Sequence, residues 1–193
     1  MPWTMGTMTD TSTTISASTT PTSGTTSTVT GSGMPYMLAA GEGEHRHFLN
    51  HLATTKVAPG ATGSMTAIEF LAPRGFGPPL HVHDDEDEVM VVLDGEIAFR
   101  SSDSESIASA GATVFLPHGV PHTFQVLSDT ARFTTVSASN TGIPRFDRMV
   151  AELGDPTDEP TLPAPVEIDP GRVAEVCAVN GIEVLGPPPA PLD

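Results

Sequence analysis

Residues 75–95 of this chain read GFGPPLHVHDDEDEVMVVLDG, and residues 111–126 read GATVFLPHGVPHTFQV. Both stretches place side chains that bind transition metals among glycines and prolines that favour tight turns. The four candidate ligands are His81, His83, Glu88 and His122. We therefore predict short β-strands joined by turns, with these four side chains gathered around one metal ion.

The first stretch predicts two strands separated by an acidic turn. Alternate side chains of a strand share a face, so His81 and His83 project together. We expect residues 84–87 to form the turn that returns Glu88 to that face. Asp94-Gly95 is a strong hairpin signal at the end of the strand that Glu88 begins. A two-residue hairpin there would place four apolar side chains on the face of Glu88: Met90, Val92, Ile97 and Phe99.

The second stretch predicts another pair of strands. Gly111 can adopt turn dihedrals that other residues avoid, residues 113–116 form a short apolar strand, and residues 117–121 reverse the chain. His122 then opens the returning strand, whose inner face continues through two apolar residues. Together the stretches predict an apolar pocket beside the ligands. Its predicted lining is Met90, Val92, Phe99, Phe124 and Val126.

Three imidazoles and one carboxylate leave positions open on a six-coordinate divalent metal, where substrate and dioxygen or water would bind. Iron, manganese, nickel, cobalt, copper and zinc all accept such ligands, so the sequence does not select one of them. Glu88 is the predicted catalytic residue, because a carboxylate at the edge of the metal's coordination sphere can accept a proton from a metal-bound hydroxyl. The alternative is that Glu88 serves only as a ligand.

The remaining histidines fit other roles better. His45 and His47 form a second His-x-His pattern, but no framing glycine or downstream partner accompanies it, which favours solvated strand residues. His51 and His118 are predicted at the surface or around the metal site rather than in it. A cluster that binds no metal is the alternative for the four ligands. The agreement of the surrounding glycines and prolines disfavours it.

The composition is strongly acidic. Lys and Arg number 8 against 24 Asp and Glu, which gives a formal net charge of −16. Nucleic acids and anionic membrane surfaces are polyanions, so we expect neither as a partner. The single cysteine, Cys177, excludes an internal disulfide, and no apolar run has the length needed to span a bilayer. The start of the chain also lacks the basic and apolar regions of a secretory signal, so we expect a cytoplasmic protein.

Three regions are expected along the chain. Residues 1–33 are a Thr, Ser and Gly tract that we expect to be a disordered tail, with Met34 as an alternative native start. Residues 34–142 are expected to form a single barrel, with further strands within 48–57, 64–71 and 132–138. Residues 143–193 are expected to carry a Pro-rich extended segment between two helices, one ending at Gly154 and one capped by Asp169. The apolar stripes of these helices would cover an open end of the barrel or join a dimer interface.

The two stretches resemble the two signature motifs of the cupin family, from which Val126 departs because the family pattern often has Asn there. The resemblance implies an all-β fold, a single cupin barrel of the double-stranded β-helix or jelly-roll type. A narrower likeness to small bacterial quercetinase-like cupins rests on residues 77–81, 86–88 and 145–154. It implies a homodimeric dioxygenase in which a metal held at His81, His83, Glu88 and His122 binds a flavonol or similar enolisable hydroxy-ketone. The position matching Glu88 would take the substrate's hydroxyl proton, and dioxygen would cleave the ring with loss of carbon monoxide.

The predicted lining favours flat aromatic or polyketide-like small molecules over phosphosugars and small dianions, unless Arg74 or Arg132 turns inward. A metal-dependent dioxygenase is the first hypothesis. A metal-dependent isomerase, cyclase or epimerase is the second, and a non-catalytic small-molecule binder is the third. Oxygen uptake, product formation without oxygen uptake, and ligand-dependent stabilisation without turnover distinguish them in that order.

Overall fold

Strands dominate the part of the chain that the computed structural model describes, residues 35–59, 63–101 and 104–192. The strands are β1 Glu44–Phe48, β2 His51–Val57, β3 Thr66–Pro73, β4 His81–His83, β5 Glu86–Asp94, β6 Glu96–Ser101, β7 Ser104–Ser109, β8 Thr113–Leu116, β9 His122–Val126, β10 Thr130–Ser139, β11 Gly154–Pro156 and β12 Ile182–Val184. The helices are α1 Phe146–Leu153 and α2 Pro170–Val179. The predicted tail and the alternative start at Met34 lie outside the described residues.

Two antiparallel sheets form the body of the protein. One has the order β11-β1-β2-β3-β10-β5-β8 and the other has the order β12-β4-β9-β6-β7. Buried and less buried residues alternate along β3, β5 and β10, as expected for strands that turn one face to a shared core. The prediction of an all-β jelly roll is confirmed.

The chain changes sheets at Gly95, where a hairpin was predicted. β5 pairs with β10 and β8, whereas β6 pairs with β9 and β7, so Asp94 and Gly95 connect the two sheets instead of two neighbouring strands. Gly95 has φ 83°, and a Cβ atom there would lie 2.5 Å from the Thr130 carbonyl oxygen. The Asp-Gly signal specifies a tight turn with positive φ, but it does not specify which strands meet on either side.

The acidic run is shorter as a turn than predicted. Asp84 and Asp85 form the bend, but Glu86 already belongs to β5 and is buried. Its Oε1 accepts a hydrogen bond from the Arg145 backbone N–H at 2.6 Å. The prediction that residues 84–87 form the turn is therefore wrong for Glu86 and Asp87, which already belong to β5, with Glu86 buried on the same face as Glu88.

A hairpin interrupts the strand predicted at residues 48–57. Leu49 and Asn50 have φ 46° and 67°, and they connect β1 to β2 with Phe48 paired to His51. The Asn50 side chain holds the extended segment after α1, since its Nδ2 donates to the Val166 carbonyl at 2.9 Å and its Oδ1 accepts from the Val166 N–H at 2.8 Å. Strands β7, β11 and β12 were not predicted.

The helices form as the sequence indicates. α1 ends at Gly154, and α2 begins after Asp169, whose Oδ1 accepts hydrogen bonds from the backbone N–H groups of Gly171 and Arg172 at 2.9 and 3.2 Å. α1 packs against β1 and β3, while α2 packs against β12. Within the described residues, neither helix has the length and apolar character needed to cross a membrane.

Candidate metal centre

Three strands from both sheets bring the four candidate ligands together. His81 and His83 lie on β4, and His122 lies on the neighbouring β9 as the register partner of His81. Glu88 lies on β5 of the facing sheet. The cluster therefore depends on the packing of one sheet against the other, which neither stretch of sequence specifies alone.

One donor atom from each of the four side chains lies within 4.8 Å of all the others. The imidazoles of His81 and His122 have ring centroids 4.4 Å apart, and those of His83 and His122 stack at 5.5 Å. The Nε2 atoms of His83 and His122 each lie 3.4 Å from Oε2 of Glu88. Such a compact set of three nitrogens and one carboxylate is suited to a single cation.

Backbone carbonyls orient two of the rings. Nδ1 of His81 donates to the Pro79 carbonyl at 2.8 Å, and Nδ1 of His122 donates to the Val120 carbonyl at 2.9 Å. A carbonyl oxygen can only accept, so the proton of each neutral ring resides on Nδ1 and the Nε2 lone pair is free.

The Nε2 atoms of His83 and His122 are buried and have no hydrogen-bond partner among the described residues. Buried polar atoms are rarely left in this state, because the cost of removing them from water is then not offset. Coordination of a divalent transition metal would satisfy both atoms, and it requires a free ring-nitrogen lone pair, which the Val120 carbonyl leaves on Nε2 of His122. The residues present therefore fit such a metal.

Burial and charge also favour the protonation states of a metal site. Burial, with smaller contributions from the neighbouring His122 and His83, lowers the pKa of His81 to about 4. Burial likewise lowers the pKa of His83. Burial alone would raise the pKa of Glu88, but the surrounding imidazoles of His83 and His122 outweigh it and hold that pKa at about 2. Glu88 is thus ionised at neutral pH.

The cluster opens onto a cavity of about 400 Å³. His81, Glu88 and His122 contribute to its wall, together with apolar residues from both sheets, both helices and the segment 186–188. The aromatic members of the wall are Phe48, Phe70, Phe76, Phe124, Phe133 and Phe146. Among the described residues no lysine or arginine lines the cavity, so it is suited to an uncharged, flat ligand.

Two of the five residues predicted to line the pocket lie in the cavity wall, and three do not. Met90 and Phe124 lie in the cavity wall, whereas Val92, Phe99 and Val126 are buried in the core and do not belong to that wall. All five point inward, but Val92 and Val126 lie four residues beyond Glu88 and His122, toward the end of the sandwich that close packing fills. Facing inward was therefore not a sufficient criterion for lining the cavity.

The remaining histidines and arginines considered in the sequence, apart from His51, lie outside the cavity. His45 and His47 are half-buried on β1, and His118 is exposed, with its Nδ1 2.6 Å from Oδ1 of Asp87. Arg74 and Arg132 are exposed as well, and they do not enter the cavity: Arg74 donates to the Leu127 carbonyl, and Arg132 lies 3.9 Å from Glu69.

His51 differs from its prediction as a surface or near-metal residue. It is buried, lines the cavity and packs among phenylalanine rings. The helices contribute Phe146, Met149, Val173 and Cys177 to the cavity wall. The apolar stripes of α1 and α2 predicted either a cover for an open end of the barrel or a dimer interface. The stripes did not indicate that these residues line the same cavity as the metal-ligand cluster.

Parts of this chain are similar in sequence to known proteins. A model of the cupin domain matches residues 67–137. The chain is 30% identical to quercetin 2,3-dioxygenase of Bacillus subtilis (strain 168) over 155 residues, which cover 79% of this chain and 45% of that protein. The match thus spans about half the length of this curated relative.

Solved structures with a similar chain trace include the polyketide cyclase RemF from Streptomyces resistomycificus, at 20% identity and a TM-score of 0.48, covering 57% of this chain and 84% of that chain. They also include KdgF from a Halomonas species, at 16% identity and a TM-score of 0.44, covering 47% of this chain and 82% of that chain.

Proposed function

This chain is a member of the cupin superfamily, and from that premise we propose that it is a metal-dependent dioxygenase that cleaves a flavonol or a similar enolisable aromatic hydroxy-ketone. One observation carries the proposal: three imidazoles and a carboxylate lie at the wall of an apolar, aromatic-lined cavity of about 400 Å³. Known ligand pockets span about 300–1,000 Å³. The cavity therefore has room for a flat ligand of two or three rings.

His81, His83, Glu88 and His122 would hold the metal. When bound, a divalent transition metal would act as a Lewis acid toward a substrate hydroxyl and provide the redox chemistry with dioxygen. Two of the imidazoles would set its position, because hydrogen bonds to the Pro79 and Val120 carbonyls orient the rings of His81 and His122.

Glu88 would accept the proton of the substrate's enolic hydroxyl. Its Oε1 receives a hydrogen bond from the Ser137 hydroxyl at 3.3 Å, while its Oε2 faces the imidazoles. The low pKa of the carboxyl keeps it ionised at neutral pH, as a proton acceptor must be. Ser137 would thus position the carboxylate that takes the proton.

The cavity wall would orient the substrate and exclude water. Phe124, Phe133 and Phe146 offer flat surfaces for an aromatic ring, and α1 and α2 complete the wall. The name of the Bacillus subtilis relative supports a flavonol as the substrate class. A homodimer and a cytoplasmic location stay predictions.

Protein purified without added metal tests the proposal in two measurements. Elemental analysis should find about one transition-metal ion per chain, and an oxygen electrode should record oxygen uptake in step with the loss of quercetin absorbance. His118→Ala serves as a matched control, since it removes an exposed histidine close to His122 in sequence.

Two results would replace the proposal. Conversion of a substrate without oxygen uptake would assign an isomerase, cyclase or epimerase. Thermal stabilisation by quercetin without turnover would assign a small-molecule binder.

A further inference from the structure

His51 is a polar side chain in a part of the cavity wall that is otherwise aromatic. It is the first residue of β2 and is 2% exposed. The hairpin at Leu49 and Asn50 places it there, with Leu49 in the positive-φ conformation that branched and bulky residues adopt rarely. The backbone thus keeps an unfavourable conformation at the turn that directs the imidazole toward the cavity.

The hydrogen bonding of His51 determines what it offers to a ligand. Its Nδ1 lies 3.2 Å from the Leu49 carbonyl, which can only accept, so the ring proton resides on Nδ1. Burial lowers the pKa of His51 to about 3, so the ring is neutral at physiological pH. Nε2 is therefore an acceptor, and no group in the described part of the chain donates to it.

The neighbours of His51 are rings that cannot satisfy this acceptor. The centroids of Phe48, Phe70 and Phe76 lie 4.9, 5.3 and 4.2 Å from that of His51. Phe70 lies 6.2 Å from Phe146, which in turn lies 6.2 Å from His83. Two phenylalanine rings thus separate His51 from the metal-ligand cluster.

We propose that His51 forms a second polar subsite of the cavity, where its Nε2 accepts a hydrogen bond from a phenolic hydroxyl on the part of the substrate remote from the metal-ligand cluster. The proposal rests on the proposed function only in taking the ligand to be a flat aromatic compound. A donor on the ligand satisfies an acceptor in the cavity wall that has no partner in the described part of the protein, whereas an unsubstituted ring leaves it unpaired. The cavity therefore selects hydroxylated aromatics over their unhydroxylated analogues.

Anaerobic binding measurements test this subsite without turnover. The probes are quercetin, which carries hydroxyls on both outer ring systems, and 3-hydroxyflavone, which carries none there. Titration of the purified protein, followed by flavonol absorbance, should give a lower Kd for quercetin. His51→Phe should raise the quercetin Kd about threefold to tenfold, the worth of one hydrogen bond, and should leave the 3-hydroxyflavone Kd unchanged.

Two further variants separate recognition from packing. His51→Gln retains a hydrogen-bond acceptor and should recover part of the preference for quercetin. His118→Phe changes an exposed histidine and should leave both Kd values unchanged. Urea unfolding of each variant verifies that it is folded.

The outcomes distinguish this proposal from the dioxygenase proposal. If His51→Phe weakens both flavonols equally, or neither, the subsite is overturned even where wild-type protein consumes oxygen with quercetin. If His51→Phe abolishes the preference for quercetin while no oxygen is consumed, the subsite stands and the dioxygenase proposal fails. Failure of wild-type protein to bind either flavonol overturns both.

Discussion

Two parts of the cavity wall contain imidazoles in different settings: the cluster end, formed by His81, Glu88 and His122, and the His51 end, two phenylalanine rings away. At the metal-ligand cluster, three imidazoles surround the ionised carboxylate of Glu88, and two buried Nε2 atoms have no hydrogen-bond partner. At His51 a single neutral imidazole stands among phenylalanine rings without a carboxylate. A carboxylate among several nitrogens suits a cation, whereas an isolated acceptor suits an uncharged hydroxyl. Under the two proposals, histidine supplies metal ligands at the cluster and substrate selectivity at position 51.

The largest expected effect is the loss of a ligand at the cluster. His122→Ala removes one of the three imidazoles, and we expect metal content to fall and oxygen uptake with quercetin to drop to background. Changes around metal ligands typically cost about 10- to 100-fold, so loss of a ligand should exceed that range. Elemental analysis and oxygen-electrode rates measure both quantities.

His118→Ala is the control for this prediction. His118 is exposed and pairs with Asp87 rather than with the cluster, so the variant should keep metal and activity. Equal losses in both variants would mean that the cluster is not the metal site.

Glu88→Gln should have the next largest effect, on activity alone. The amide keeps the shape of the side chain but cannot accept a proton, so turnover should fall about 10²- to 10⁴-fold, the usual contribution of a general base. Three imidazoles remain, and we expect most of the metal to stay bound. Turnover and metal content must be measured on the same preparation. Full activity with metal retained would make Glu88 a ligand only.

The cluster end follows from the sequence much more completely than the His51 end does. Three local features predicted the cluster: the His81-x-His83 alternation, the return of Glu88, and the position of His122 after a Gly- and Pro-rich turn. The spacing of residues along the chain can indicate local features of this kind. Spacing did not give the sheet change at Gly95. An Asp-Gly turn has the same dihedrals whether it joins paired strands or two sheets.

The His51 end lacks a local signature because separate elements build it. Phe48, Phe70, Phe76 and Phe146 come from β1, β3, the loop after β3 and α1, and only tertiary packing brings them together. A single histidine at the start of a strand gives no indication of these neighbours. For the same reason Val92, Phe99 and Val126 were assigned to the pocket, since alternation indicates an inward face but not whether packing fills the space in front of it.

His51 should also make folding stability depend on pH. In the unfolded chain its pKa is near 6.5, whereas in the fold it is about 3, so the unfolded state binds the extra proton as pH falls below 6.5. The contribution of the neutral His51 ring to the free energy of unfolding is therefore fully present above pH 6.5, and it declines as the pH falls toward 3. The decline attributable to this group is about 1.4 kcal/mol per pH unit.

His51→Phe should remove this component. Metal-free wild type and variant are compared by urea unfolding at pH 6.5, 5.5 and 4.5, and the variant should lose less stability at each step. His81 and His83, whose pKa values burial also lowers, are present in both proteins, so their contributions cancel. Identical slopes would show that the His51 ring takes up a proton in the folded state as it does in the unfolded chain, and that it is not a neutral acceptor.

The smallest predicted effect concerns α2, which belongs to the cavity wall but lies outside the two motif stretches. The local sequence at Asp169 nevertheless specifies where this helix begins. Asp169 caps the helix by accepting hydrogen bonds from the backbone N–H groups of Gly171 and Arg172, and the helix contributes Val173 and Cys177 to the wall. Asp169→Ala should lower the free energy of unfolding by about 1 kcal/mol and leave metal content unchanged. Glu175→Ala removes the same charge from an exposed site on α2 and should change stability by less than about 0.5 kcal/mol. Equal effects would assign the loss to net charge, while a loss of metal in Asp169→Ala would mean that α2 supports the cluster and that the two ends of the cavity are coupled through it.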